Sequence, residues 1–225
     1  MKCLIIVPAF NEATVLQQVL LSIKKNVPSF SILVVNDGSS DNTSDIASKV
    51  KKVRVANHPI NRGLGAAINT GLSFAKKNNF DLAVTIDADG QHDPKDIKKL
   101  IKPIINNQAD IVIGSRIIST LGQIPLDRII IIKASNFLTW LLYGETTTDS
   151  LSGFRAFSKK AIKSIHLKTD RMEVSNELFS EINRLKLKVK EVPIRVIYTN
   201  YSRSKGQKNT NAISIIFKLM LRLFR

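Results

Sequence analysis

The chain has 225 residues, 44% of them hydrophobic, and a formal net charge of +16. That length and apolar content are enough for one large core and exclude a chain too polar to fold; nothing in it reads as a linker, so one domain is expected. A single cysteine, Cys3, excludes an intramolecular disulfide and fits a reducing compartment, and the opening Met1 to Pro8 is too short and too quickly followed by polar residues for a signal peptide, so a cytoplasmic protein is expected.

The predicted elements alternate. Residues 2–7 read as a strand, 12–25 as a helix with Val15, Val19, Leu20 and Ile23 at helical spacing, and 31–35 as a strand again. Then come a helix over 41–50, a strand over 53–56, a helix over 65–78, a strand over 82–86, a helix over 96–106 and a strand over 110–114. This βα alternation predicts an α/β fold: a parallel sheet covered on both faces, with functional loops at the strand C-termini.

The loop after the strand at 82–86 is Asp87-Ala88-Asp89-Gly90-Gln91-His92-Asp93-Pro94. Asp93-Pro94 reads as a helix N-cap followed by proline at the first helical position. Asp87 and Asp89 repel each other at a strand end unless a cation lies between them. With the amide oxygen of Gln91 they form a hard-ligand set for Mg²⁺ or Mn²⁺, ions that keep water and substrate phosphate in their shells. The bland alternative is an acidic turn that only caps the helix.

Two more polar loops leave the same predicted edge: Pro8-Ala9-Phe10-Asn11-Glu12, and Asn36-Asp37-Gly38-Ser39-Ser40-Asp41-Asn42-Thr43. Ser39 to Thr43 reads as turn and cap chemistry. Glu12 and Asp37 are placed as carboxylates that bond a ribose or base in nucleotide-binding sheets. In Asn61-Arg62-Gly63-Leu64-Gly65-Ala66-Ala67 the small residues admit a diphosphate at a helix N-terminus, although the spacing is neither the dinucleotide fingerprint nor a P-loop.

Together with Gly114-Ser115-Arg116 and Asp149-Ser150-Leu151-Ser152-Gly153-Phe154-Arg155, these motifs stand in the order seen in glycosyltransferase family 2. The chain resembles the branch of dolichyl-phosphate mannose synthases and related polyprenyl-phosphate sugar transferases over roughly residues 2–208. The resemblance implies a GT-A fold, Rossmann-like with a mostly parallel sheet, and inverting transfer from a GDP-mannose or UDP-sugar donor to a polyprenyl phosphate. It implies a nucleoside pocket at Pro8, Glu12 and Asp37, with Asp87 on the donor, and a divalent-metal site at Asp87, Asp89 and Gln91. It further implies that Arg116, Arg128 and Arg203, with Lys205 or Lys208, receive the acceptor phosphate and stabilise the leaving diphosphate; Lys133 is an alternative contact. A separate membrane-anchor protein is compatible with such an enzyme. The sequence departs from the pattern in three places. Asn36-Asp37 replaces a pair of aspartates, Ile132 stands where relatives often carry serine, and Arg203-Ser204-Lys205-Gly206-Gln207-Lys208 is one residue short of the usual basic motif.

The acceptor's chemistry can be argued from residue types. A hydroxyl must lose a proton as it attacks and needs a carboxylate base, for which Glu177 is the candidate. A phosphate arrives ionised and needs cations instead. Residues 1–110 carry 14 Lys and Arg against 10 Asp and Glu, and residues 111–225 carry 20 against 8, so the second half faces something anionic. A phosphate-rich substrate, an anionic membrane and nucleic acid all meet that charge. Aromatic residues at 6%, none interleaved with a basic groove, argue against nucleic acid. A nucleotidyltransferase is argued against by the lack of a glycine-rich, lysine-bearing N-terminal loop. Residues 129–143 are apolar but too short to span a bilayer. Residues 212–225 place Ile213, Ile216, Phe217, Met220, Leu223 and Phe224 on one face and Lys218, Arg222 and Arg225 opposite, the pattern of a helix lying in the membrane interface. The expected organisation is therefore a glycosyltransferase domain over 1–211, with a nucleotide-sugar half at 1–116 and an acceptor half at 117–211, and an interfacial helix at 212–225 on the cytoplasmic face.

Overall fold

A computed structural model describes residues 1–119, 124–171, 173–197 and 201. Chain order runs β1 (Cys3–Ala9), α1 (Leu16–Asn26), β2 (Ser31–Asn36), α2 (Thr43–Lys49), β3 (Val53–Asn57), α3 (Leu64–Lys77) and β4 (Leu82–Thr85). A 3₁₀ turn (Pro94–Asp96) then leads into α4 (Ile97–Ile105), followed by β5 (Ile111–Ser115), the short α5 (Arg116–Ser119) and α6 (Leu126–Tyr143). The chain closes the sheet with β6 (Arg155–Ser158), α7 (Lys159–Ser164), α8 (Val174–Leu185) and β7 (Val189–Pro193). Asp93 caps the 3₁₀ turn as its sequence implies, its side chain accepting from the Lys95 N–H with Pro94 at the first position.

The seven strands form one sheet in the order β3-β2-β1-β4-β6-β5-β7. The β1–β2, β1–β4, β2–β3 and β5–β7 pairs are parallel, but β6 runs antiparallel to both β4 and β5. The sheet is thus mostly parallel, as the resemblance implied, with β6 as the reversed strand. β6 enters from the edge where the parallel strands end, so the loop before it, Asp149 to Phe154, arrives beside the loops that follow β4 and β5. Arg155, its first residue, pairs with Thr85 of β4 and Ile113 of β5. Pro8 is tolerated in a central strand because it lies beyond the last β1–β4 pair, Ile6↔Thr85, where a missing N–H breaks no ladder bond.

Strand alternation divides the core between the two faces of the sheet. Ile5, Val7, Val34 and Val84 pack with Leu20, Ile23, Leu100 and Ile104 of α1 and α4, whereas Leu4, Ile6, Leu33 and Phe157 pack with Leu72, Ile162, Phe179 and Ile182 of α3, α7 and α8. Cys3 is a packing residue, and burial pushes its thiol up to about 12. α6 ends at Gly144, whose φ of 68° is the left-handed cap and whose N–H returns to Trp140 O. Among the described residues no helix is long and apolar enough to cross a membrane. The predicted helix at 212–225 lies outside the described residues.

Candidate active site

The loops after β1 and β2 are stitched together. Asn11 N donates to Ser39 Oγ (2.9 Å), Glu12 N to Thr43 Oγ1 (2.8 Å) and Ala13 N to Asp41 Oδ2 (3.1 Å), while Ser40 N returns to Asn11 Oδ1 (2.8 Å). The polar run 39–43 thus positions the Glu12 loop as well as capping α2. Asp37 is buried, and its oxygens hold the β3–α3 connection: Oδ1 accepts from Arg62 N (3.0 Å) and meets His58 Nδ1 at 2.7 Å, and Oδ2 accepts from Gly63 N (2.7 Å). His58 Nε2 in turn meets Thr70 Oγ1 on α3 at 2.9 Å. Glu12 Oε2 accepts the hydroxyl of Tyr201, from the far end of the chain, at 2.8 Å.

The acidic loop after β4 is held from several sides. His92 Nε2 lies 3.0 Å from Asp87 Oδ2, with its ring against Phe154, and Asp89 Oδ1 accepts from Gln91 N at 3.0 Å. Gln91 O accepts from Ile197 N at 2.8 Å, and His92 pairs with Val196, so the segment after β7 straps the loop in place. A Cβ on Gly153 would lie 2.5 Å from Asp87 Oδ1, so only glycine lets the loop before β6 pass this carboxylate. Thr85 Oγ1 fixes that loop by donating to Gly153 O at 2.7 Å.

Across this edge sits a buried cluster of charges. Arg116, the first residue after β5, grips Asp149 with Nε (2.6 Å), Nη2 (2.6 Å) and its own N–H (3.0 Å). Asp149 has no exposed area, and Arg155, also buried, donates from Nη2 to Ser150 O at 2.8 Å. Burial pulls the Arg155 guanidinium down to about 10, opposed by the carboxylates of Asp149 and Asp87, so it stays charged at neutral pH. Burial alone would raise Asp87, but the His92 hydrogen bond and the charges of His92, Arg116 and Arg155 outweigh it and hold Asp87 below the usual carboxylate range. Asp89 goes the other way. Burial first, then the charge of Asp87, push it up to about 6, and Glu12 adds to the push against the Gln91 N–H. The charges around Asp87 therefore outweigh its burial, whereas the Gln91 N–H and His92 do not outweigh the burial of Asp89 and the charge of Asp87.

One expected opening is filled by the chain itself. Ala66 N at the start of α3 donates to Asp170 O (3.0 Å), and a Cβ on Gly65 would meet Thr169 O at 2.1 Å. The small residues of 63–67 admit the backbone of residues 169–171, which corrects the diphosphate-approach reading of that run.

A model of the family described as Glycosyl transferase family 2 matches residues 4–165. The chain belongs to glycosyltransferase family 2. It is 38% identical over 237 residues, covering 96% of this chain and 94% of the relative, to the UDP-N-acetylglucosamine–dolichyl-phosphate N-acetylglucosaminyltransferase of Methanococcus voltae. It is 30% identical over 216 residues, 91% of this chain and 87% of the relative, to the undecaprenyl-phosphate mannosyltransferase of Micrococcus luteus. The fold is that of glucosyl-3-phosphoglycerate synthase from Mycobacterium tuberculosis, solved with Mn²⁺, uridine diphosphate and glucosyl-3-phosphoglycerate: TM-score 0.73 at 20% identity, covering 97% of this chain and 79% of that one. The architecture is GT-A-like, as the resemblance implied.

Within this family 2 site the remaining expected residues are spread out. Glu177, on the first turn of α8, accepts from Lys168 N (2.7 Å), Thr169 N (2.8 Å) and Thr169 Oγ1 (2.5 Å), so it holds the loop that packs on α3. Arg128 is half-buried in the first turn of α6, and Lys133 is exposed on the side of α6 opposite Ser135, whose hydroxyl meets Ser150 Oγ at 2.9 Å. Arg203, Lys205 and Lys208 lie outside the described residues. Among the described residues no three His, Cys, Asp or Glu side chains converge as a ready-made metal cage. Asp149, Gly153, Arg155 and Tyr201 were not singled out as site residues from the sequence. The first three sit in the Asp149–Arg155 motif, so the signal was present; nothing local links Tyr201 to Glu12, 189 positions away.

Proposed function

We propose that this family 2 enzyme transfers a sugar, with inversion, from a nucleotide-sugar donor to the phosphate of a polyprenyl phosphate, in a reaction that depends on Mg²⁺ or Mn²⁺. One observation carries the reading: two guanidiniums, Arg116 and Arg155, act on Asp87 at the sheet edge, whereas Glu177 is committed to the loop at 168–169. An ionised acceptor needs cations and no base. The activities for which the Methanococcus and Micrococcus relatives are named support the same acceptor class.

In this reading Asp89, with Asp87 and the Gln91 amide oxygen, holds the divalent ion; its uncompensated charge and its oxygen donors suit one. When bound, the ion neutralises diphosphate oxygens and so eases departure of the nucleoside diphosphate. His92 and Gly153 keep Asp87 oriented. Glu12 and Asp37, with Pro8 behind them, form the nucleoside end; Asp37 does so by fixing the loop at 58–63. Arg116, aimed by Asp149, and Arg128 meet the acceptor phosphate, assisted by Arg203 with Lys205 or Lys208. The test is to incubate the protein with UDP- and GDP-sugars, Mn²⁺ or EDTA, and either a short polyprenyl phosphate or the matching polyprenol, and to identify products by mass. Transfer only to the phosphate and only with metal is expected. Equal transfer to the polyprenol would overturn the reading.

A further inference from the structure

Asp149 lies in a loop whose backbone must be fixed before its carboxylate can aim Arg116. α6 holds one side of that loop: Asn136 Nδ2 donates to Thr148 O (2.7 Å), and Ser150 N donates to Asn136 Oδ1 (2.9 Å). The other side is held by a residue of the edge strand, Glu191, which stands opposite Ile113 in the β5–β7 register. Its Oε1 accepts from Thr147 Oγ1 (2.5 Å) and Thr148 N (2.9 Å), and its Oε2 accepts from Thr148 Oγ1 (2.7 Å). Three donors from two consecutive residues thus converge on one half-buried carboxylate.

The carboxylate also fixes the direction of the hydroxyls behind it. It only accepts, so the single hydrogen of Thr148 Oγ1 points at Glu191. Ser115 Oγ, 2.6 Å from Thr148 Oγ1, must then donate its own hydrogen to that oxygen. With these hydrogens committed, lone pairs are left for the backbone: Asp149 N reaches Thr147 Oγ1 at 3.3 Å, and Ile118 N lies 3.4 Å from Ser115 Oγ. Ser115 directly precedes Arg116 and Thr148 directly precedes Asp149, so the relay Ser115–Thr148–Glu191 ties both partners of the clamp to the edge strand. We propose that Glu191 is a positioning residue for acceptor binding. Through Thr148 and Ser115 it holds Arg116 and Asp149 in register, so that the guanidinium gripped by Asp149 is aimed at the acceptor phosphate. The inference rests on the acceptor reading above.

Thr148→Val keeps the side-chain shape but removes the relay hydroxyl, leaving the buried Ser115 hydroxyl without its acceptor, whereas Thr148→Ser keeps the relay. Glu191→Gln keeps one accepting oxygen and turns the other into a donor. For wild type and these variants, each checked for native circular dichroism, acceptor KM, donor KM and kcat are measured with a short polyprenyl phosphate and saturating Mn²⁺. Expected in Thr148→Val and Glu191→Gln is an acceptor KM raised about five- to tenfold, with donor KM and kcat within about twofold of wild type. Thr148→Ser should restore the wild-type acceptor KM. Because relay and clamp act through the same guanidinium, Thr148→Val added to Asp149→Asn should raise acceptor KM by less than about twofold further. Donor and acceptor KM rising together, kcat falling at unchanged acceptor KM, or full additivity with Asp149→Asn would each overturn the proposal, and the network would then be structural only. If wild type transfers equally to the polyprenol, the acceptor reading fails by itself; the additivity with Asp149→Asn, measured with whichever acceptor is used, still decides whether Glu191 acts through the clamp.

Discussion

Arg116 and Asp149 allow the clearest quantitative test. Their side chains are 12% and 0% exposed, and two charge-assisted bonds of 2.6 Å join them. Arg116→Ala leaves the Asp149 carboxylate in a dry site with the Arg116 N–H and the field of Arg155 as compensation. Removing one partner of a buried ion pair costs about 3–5 kcal/mol, and the remaining compensation places this case near about 3 kcal/mol. In urea that loss lowers the midpoint by roughly 1 M at an unchanged slope near 3 kcal/mol per molar. Asp149→Ala alone should be similarly harmful, since it strands a guanidinium. The double variant should recover a coupling of about 2–3 kcal/mol relative to the sum of the singles. Arg116→Lys keeps the charge without the paired fork and should fall between. An Arg116→Ala protein within about 0.5 kcal/mol of wild type would refute the reasoning. The stability measurement must come before any kinetic one, because lost transfer in Arg116→Ala would mix the phosphate contact proposed for Arg116 with a loosened site. Asp149→Asn separates them: the Arg116 guanidinium keeps its charge, the clamp weakens, and in the proposed reading the acceptor KM should rise by roughly tenfold for about 1.4 kcal/mol of lost positioning.

Three further outcomes are expected. In the proposed reading metal would compete with the proton on Asp89, so the apparent Mn²⁺ affinity, followed by calorimetry with the nucleotide present, should be flat above about pH 7 and fall about tenfold per pH unit below about 6; an affinity unchanged between pH 5 and 7.5, or full transfer by Asp89→Ala in EDTA, would sink the metal assignment. Gly153→Ala drives a methyl to 2.5 Å from Asp87 Oδ1, so transfer should drop by more than about a hundredfold for a stability cost of only about 1–3 kcal/mol, and wild-type transfer would show that Asp87 needs no fixed position. Glu177→Gln loses acceptor capacity toward Lys168 N and Thr169, costing about 1–3 kcal/mol in urea melts, while transfer stays within about tenfold and the acidic limb of the pH profile is unchanged; loss of an acidic limb would restore Glu177 as a base.

The first half of the fold was legible because each strand there is a short apolar run between polar loops. The predicted strand at 31–35 became Ser31–Asn36 and that at 53–56 became Val53–Asn57. Helix starts were read early. The run from Glu12 forms a turn, with Val15 N and Leu16 N both reaching Glu12 O, before α1 begins at Leu16. β6 and β7 carried no comparable signal. Arg155-Ala156-Phe157-Ser158 opens on a buried arginine, and Val189-Lys190-Glu191-Val192-Pro193 is a polar edge strand ending in proline. Alternation of strands and helices cannot announce an antiparallel insertion, because the reversal lies in the connection and leaves the strand's composition unchanged.

The site was legible to the degree that its chemistry is local. Asp87 and Asp89 were readable as a pair because two residues of spacing at a strand end place like charges together whatever the rest of the chain does. What local spacing cannot show is which member of the pair is already balanced. The counter-charges on Asp87 come from His92 in the same loop and from Arg116 and Arg155, 29 and 68 positions downstream by their numbering. Arg155 reaches it because β6 is inserted between β4 and β5 in the opposite direction. The same reversal forces glycine at 153, since the loop entering β6 must pass the carboxylate that the loop leaving β4 presents. A parallel strand in that place would deliver its first residue to the far edge, and of the charges around Asp87 only those of His92 and Arg116 would remain. The difference between the two carboxylates, Asp87 held low and Asp89 pushed up, thus depends on sheet topology as well as on the acidic loop itself.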